Sequence, residues 1–155
     1  MDWASVIDNP LFRDLPFKIE LNRFGQILMS PASNKHGQIQ SRTVVALDRH
    51  KRGGEVITEC SVQTSDGVKV ADVAWVSDDF IARFGYETPY PKAPEVCVEI
   101  ISPSNSQAEI EHKIELYLAK GALEVWVVDE DEDVAVHSHL DKLADSEVVP
   151  GFRLH

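Results

Sequence analysis

The sequence predicts a mixed α/β (α+β) fold with core order α-β-β-β-α-β, preceded by an N-terminal β-hairpin. Three observations predict it. Val68 to Val76 and Glu95 to Ile101 are apolar, β-branched stretches of strand length. Residues 106–120 carry apolar side chains at helical spacing. A further apolar stretch, Leu123 to Val128, follows that helix, and strand–helix–strand units of this kind normally join parallel strands. At 155 residues the chain has the size of one domain, so residues 1–155 are read as a single unit.

The elements follow in order. Phe17 to Leu21, a turn at Asn22–Gly25, and Ile27 to Met29 read as a hairpin. Ser33 or Asn34 caps a helix running to about Arg52, with Ile39, Thr43, Ala46 and Leu47 on its apolar side. Gly53-Gly54 ends it. Val56 to Gln63, Asp66-Gly67 and Val68 to Val76 form a second hairpin. Residues 77–94 are expected to be irregular because Pro89, Pro91 and Pro94 interrupt them. Glu95 to Ile101 is a strand, broken by Ser102-Pro103-Ser104. Ser106 and Glu109 have the spacing of a capping box, and Ile110, Ile114, Tyr117 and Leu118 make one apolar face. Val134 to His137 is a short last strand after the acidic run Asp129–Asp133.

Composition excludes several classes. With 43% hydrophobic and 26% charged residues the chain is not of the disordered type. Its longest apolar runs are four residues, far short of the roughly 20 needed to span a bilayer. The first residues lack the basic and apolar regions of a secretory signal, so a cytoplasmic location is expected. Cys60 and Cys97 have no metal-type spacing and are expected to be free thiols.

The net charge is −11, which argues against a non-specific nucleic-acid coat. The charge is unevenly spread. Residues 1–52 carry eight basic and five acidic side chains, a net of +3; residues 53–155 carry seven and twenty-one, a net of −14. Lys35, Arg42 and Arg49 recur every seven residues and form one helical stripe. It is either a solvated face or a contact for the phosphate backbone.

Chemistry points to two carboxylates. Asp72 and Glu99 each interrupt an apolar strand, where a charge is costly unless paired, protonated or bound to a cation. An edge position in water is the other reading. Alternation puts Glu95, Cys97, Glu99 and Ile101 on one face. Lys113, two turns into the following helix, leans back toward the end of the Glu99 strand, or else pairs with Glu109 in solvent. Two strand carboxylates and a lysine suggest metal-dependent hydrolysis of a phosphodiester. His36 and Gln40, one turn apart, are accessory candidates beside a plain surface role.

These residues resemble the Uma-type family of restriction endonucleases, within the PD-(D/E)xK nuclease superfamily. The resemblance rests on Ile19-Glu20-Leu21 with Gly25 to Pro31, His36-Gly37, Val70 to Val73, Ala93 to Ser104, Lys113 to Tyr117, Gly121 to Asp129, and Pro150-Gly151-Phe152. It implies a restriction-endonuclease-like core and DNA as substrate. It implies Mg²⁺, or Mn²⁺, held by Asp72, Glu99 and the backbone carbonyl of Ile100. The superfamily's lysine two residues after the Glu is Ile101 here, and Lys113 is the family-consistent replacement. Glu95, a further accessory candidate, stands where many relatives have Asp. A homodimer is expected, since cutting both strands usually needs two copies. The alternative is a non-catalytic nucleic-acid-binding or regulatory domain, favoured by the isoleucine at 101 and the negative charge.

Overall fold

A computed structural model describes residues 1–155. Its elements are α1 (Trp3–Asp8), a 3₁₀ turn (Pro10–Phe12), β1 (Phe17–Leu21), β2 (Ile27–Pro31), α2 (Asn34–His50), β3 (Glu55–Thr64) and β4 (Gly67–Val76). There follow α3 (Asp78–Phe84), β5 (Val96–Ile100), α4 (Gln107–Ala119), β6 (Glu124–Val128), β7 (Val134–Ser138) and β8 (Lys142–Leu143). From α2 to β6 the order is α-β-β-β-α-β, as the sequence predicts, with the short α3 inserted before β5.

The main sheet has order β3-β4-β5-β6-β7-β8. Only β5 and β6 pair in parallel, and α4 is the crossover between them. All five residues of β5 and of β6 are buried, because helices cover both faces of the sheet there. On one face, Val96, Val98 and Ile100 of β5 meet Ile39 and Leu47 of α2, together with Trp126 and Phe152. On the other, Cys97 packs with Tyr117 of α4 and Phe80 of α3. The α4-side face of β5 also carries Glu99, as strict alternation requires.

Two helices depart from the sequence reading. The stretch 77–94 contains α3, which Ser77 caps by accepting the Phe80 N–H at 3.1 Å. Asp78 and Asp79 in its first turn and Arg83 in its last suit the helix dipole. The prolines at 89, 91 and 94 lie beyond it, so they exclude only the segment that follows. Helix α1, capped by Asp2, buries Trp3 and Val6 against Leu21 of β1 and Val68 and Val70 of β4.

That last cluster docks the β1–β2 hairpin on the main sheet. Gly67 makes the approach possible. Its φ is +77°, and a Cβ there would run into the carbonyl oxygens of Leu21 and Asn22. Cys60 and Cys97 are buried free thiols, and burial pushes the Cys60 thiol up to about 12. No helix is long and apolar enough to cross a membrane.

Candidate active site

The sheet opens at Asp72. The β4–β5 ladder pairs Val73 with Val98, so one more step would set Asp72 opposite Glu99. The ladder ends there instead. The Ile100 N–H donates to Asp72 Oδ2 at 2.8 Å, so a side chain replaces the backbone partner. On the other flank Glu59 of β3 lies between the pairs Thr58–Val73 and Cys60–Ala71 and has φ +50°. A non-glycine residue in that region marks a constrained backbone. Freed from its strand neighbours, the Asp72 carbonyl accepts Gln40 Nε2 at 2.8 Å. The same Gln40 nitrogen donates to Glu59 Oε1 at 2.8 Å.

Five side chains then alternate in sign along one line: Asp72, Lys18, Glu99, Lys113 and Glu20. Lys18 Nζ lies 3.2 Å from Asp72 Oδ1 and 2.9 Å from Glu99 Oε2. Lys113 Nζ lies 3.5 Å from Glu99 Oε1 and 2.9 Å from Glu20 Oε2. Tyr117 Oη donates to Glu99 Oε1 at 2.8 Å, and the Val70 N–H donates to Glu20 Oε2 at 2.7 Å. His36 Nε2 stands 3.4 Å from Asp72 Oδ2, while its Nδ1 is buried without a partner. Three carboxylates thus face two ammonium groups and one imidazole. A buried carboxylate is tolerable on those terms, paired and hydrogen-bonded at once.

The environments of the two central carboxylates differ. Burial opposes ionisation of both. For Asp72 the Lys18 charge, the His36 hydrogen bond and the Ile100 N–H overcome that cost and hold it well below the usual carboxylate range. For Glu99, burial plus the neighbouring Asp72 and Glu20 charges prevail over Lys113 and Lys18, and its pKa is raised. Lys18 is itself largely desolvated, but Glu99, Asp72 and Glu20 hold it firmly protonated. The hydrogen bond to Asp72 raises His36.

The line of charges forms part of the lining of an open cleft of about 1290 Å³, which Gln40, Lys69 and His112 also border.

Of the residues singled out in the sequence, Asp72, Glu99, Lys113, His36 and Gln40 come together here. Glu95 does not. It has the alternation parity of Glu99 but lies just before β5, four steps of extended chain or about 13 Å away. Its Oε1 instead accepts the Ser77 N–H at 3.2 Å, ahead of α3. Lys35, Arg42 and Arg49 are exposed along α2 and outside the cleft lining. Arg42 is engaged by Glu132 at 2.7 Å. Lys18 and Glu20, one pleat apart on β1, are the site residues that sequence reasoning missed as such. The available signal was their alternation with Ile19 and Leu21, which puts both on one face of the hairpin.

No group of three or more His, Cys, Asp or Glu side chains forms a ready cage. Mg²⁺ does not need one, since it is usually bound by one or two carboxylates plus waters and substrate phosphate. Asp72 and Glu99 already converge on one cation, the Lys18 ammonium. Two carboxylates are oxygen donors of the kind a hard metal ion takes.

Residues 10–153 match the family Uma2, described as "Putative restriction endonuclease". No curated protein matches the chain. A solved structure with the same fold is a "putative nuclease belonging to DUF820" from Anabaena variabilis. It is 24% identical, with a TM-score of 0.66, over 83% of this chain and 76% of that one.

Proposed function

We propose, on the premise that this chain belongs to the Uma2 family of restriction-endonuclease type, that it is a metal-dependent endonuclease hydrolysing phosphodiester bonds in DNA. The observation that carries this reading is the pairing of Asp72 and Glu99, side by side where the sheet opens onto a cleft, with two lysines within 3.5 Å of Glu99.

Asp72, Glu99 and the Ile100 carbonyl would hold Mg²⁺ or Mn²⁺. Such an ion, when bound, supplies Lewis-acid stabilisation of the phosphoryl oxygens and a more acidic water. The chain's own residues prepare the rest. Tyr117 and Lys113 fix the Glu99 carboxylate through Oε1, and the Ile100 N–H and His36 fix Asp72 through Oδ2. Held this way, the two groups need little rearrangement when charge develops, which is where preorganised sites gain most. Lys113 occupies the role that Ile101 cannot. Its ammonium is placed to stabilise negative charge on the phosphate as water adds and one P–O ester bond breaks. Glu20 keeps that ammonium in place from the side away from Glu99.

The test is a cleavage assay on supercoiled and linear DNA with Mg²⁺ or Mn²⁺, wild type against Glu99→Gln. The expected result is metal-dependent nicking or cutting by the wild type, lowered at least about 100-fold in the variant, the scale of losing a central electrostatic group. Equal cleavage by both proteins, or none by the wild type with either metal, overturns the reading.

A further inference from the structure

The core alone places Asp72, Glu99 and Lys113, yet the shortest ion pair to Glu99 comes from outside it. Lys18 belongs to the docked hairpin. Its Nζ lies 2.9 Å from Glu99 Oε2 and 3.2 Å from Asp72 Oδ1, and its side chain is 12% exposed. Lys113 reaches Glu99 but not Asp72, and His36 reaches Asp72 but not Glu99. Lys18 is therefore the one cation that joins the two carboxylates.

We propose that Lys18 is a built-in place-holder for the catalytic metal ion: its ammonium holds Asp72 and Glu99 together in the metal-free protein and competes with the divalent cation for them. This rests on the reading of these two carboxylates as metal ligands. Three physical points support it. First, two buried carboxylates on adjoining strands would repel if nothing lay between them, so the metal-free fold needs a cation there. Second, the ammonium donates to one oxygen of each carboxylate, and an oxygen lone pair spent on Nζ–H is not free for a metal. Mg²⁺ binds oxygen at about 2.0–2.1 Å, so the ion and the ammonium exclude one another between the same two oxygens. Third, the residue is lysine. Its charge is a compact group on a flexible stem, which can leave without disturbing the carboxylates, whereas a planar guanidinium would bind in a fixed fork.

The arrangement has a stabilising counterpart at the other end of the line. Lys113 pairs with Glu20 from the hairpin, so that ammonium stays anchored when Lys18 leaves. The hairpin thus contributes one group that gives way and one that holds.

The prediction has an unusual sign: removing a cleft lysine improves metal binding. Mn²⁺ is titrated into full-length wild type, Lys18→Met, Lys18→Gln, Glu99→Gln and the Lys18→Met/Glu99→Gln pair. Binding is followed by calorimetry, and melting temperature is recorded with and without the metal. Lys18→Met and Lys18→Gln should bind Mn²⁺ at least about tenfold more tightly than wild type, the order expected when one charge-assisted competitor is removed. Without metal both should melt lower than wild type, and Mn²⁺ should raise their melting temperature by more than it raises that of wild type. If Lys18→Met is unfolded without metal, Mn²⁺ must restore its fold. Equal or weaker Mn²⁺ affinity in both Lys18 variants, with binding still abolished in Glu99→Gln, overturns the place-holder while leaving the metal site standing. Failure of Mn²⁺ to refold an unfolded Lys18→Met also overturns it. Mn²⁺ binding unaffected by Glu99→Gln overturns the metal site itself, and the place-holder with it.

Discussion

The β1–β2 hairpin and the β4–β5–α4 unit both deliver charged side chains to one cleft, and they do so from opposite starting points. In β5 every residue is buried, so Glu99 stands in an apolar strand. In the hairpin, Phe17 of β1 is exposed, and so are four of the five residues of β2. Its polar side chains look like an ordinary solvated face, although Glu20 is only 5% exposed. A charge inside an apolar strand draws attention because it is costly. A charge in an amphipathic hairpin does not, until the hairpin is known to dock.

Lys113 is the cation that the core itself supplies. Lys113→Met should lower cleavage about 10²–10³-fold, the range for removal of one preorganised electrostatic stabiliser. Lys113 is 23% exposed and Lys18 still pairs with Glu99 in the metal-free protein, so circular dichroism should stay near wild type. Lys113 sits on Glu99 Oε1, away from the Oε2 that shares Lys18 with Asp72, so Mn²⁺ binding should stay near wild type too. Full activity in this variant would remove Lys113 from the mechanism and shift the burden to the hairpin.

Glu20 supplies the matching test on the hairpin. Its carboxylate accepts Lys113 and the Val70 N–H, and these partners hold its pKa down despite burial. Glu20→Gln keeps the shape and removes the charge. A hydrogen bond to a charged group is worth about 1.5–3 kcal/mol, so the melting temperature should fall by about 5 °C or more. Cleavage should fall too, but less than in Lys113→Met, because Lys113 still has Glu99. An unchanged melting temperature would mean that the hairpin docks by its apolar cluster alone.

Asp66 sits at the seam between the hairpin and α4. Its Oδ1 accepts the Arg23 N–H of the hairpin turn at 3.0 Å, and its Oδ2 contacts His112 of α4 at 2.8 Å. The His112 contact, ahead of the Arg23 N–H and the Lys69 charge, lowers its pKa from 3.8. A depressed carboxylate contributes stability that is fully present above its unfolded value and disappears as pH falls through the folded one. Wild type should therefore melt above Asp66→Asn at pH values over 3.8, and the gap should close as the pH drops below it. A gap that persists in strong acid would show that Asp66 acts by shape and not by charge.

Legibility follows the same divide. The element order was readable because β4, β5, α4 and β6 have plain periodicity and strong boundary signals, such as Ser106 three residues before Glu109. Asp72 and Glu99 were readable as interruptions of apolar strands, and alternation gave the face of Glu99 within its own strand; that Asp72 lies beside it follows from the β4–β5 register. Glu95 shows the limit of that logic. Alternation gives the face of a strand but not which end of it borders a cleft. Helix α3 was hidden by the prolines that follow it, although Ser77-Asp78-Asp79 is a good helix start. Lys18 and Glu20 were hidden for a stronger reason. Their importance depends on where the hairpin packs, and Trp3, Val6, Leu21, Val68 and Val70, which set that packing, are spread over some seventy residues of chain.

The smallest expected effect lies outside the cleft, on the stripe of α2. Lys35, Arg42 and Arg49 are exposed, and charges of this kind fix the position of a nucleic acid without reading its sequence. Each phosphate that is no longer neutralised should reduce the slope of log affinity against log salt by about 0.9 for duplex DNA. The three side chains are not equivalent, however. The Arg42 guanidinium lies 2.7 Å from Glu132, on the turn between β6 and β7, and that ion pair holds the Glu132 carboxyl below its usual range. Glu132 takes one of the guanidinium nitrogens and offsets part of its charge, so a phosphate gains less at Arg42 than at Lys35 or Arg49. In DNA-binding titrations at several salt concentrations, with EDTA present, Lys35→Gln and Arg49→Gln should each flatten the slope more than Arg42→Gln does. Glu132→Gln should strengthen binding, because it frees Arg42 and removes a repelling charge together. If the triple Gln variant binds with unchanged affinity and unchanged slope, the stripe is a solvated helix face, and DNA is held by the cleft lysines and the hairpin alone.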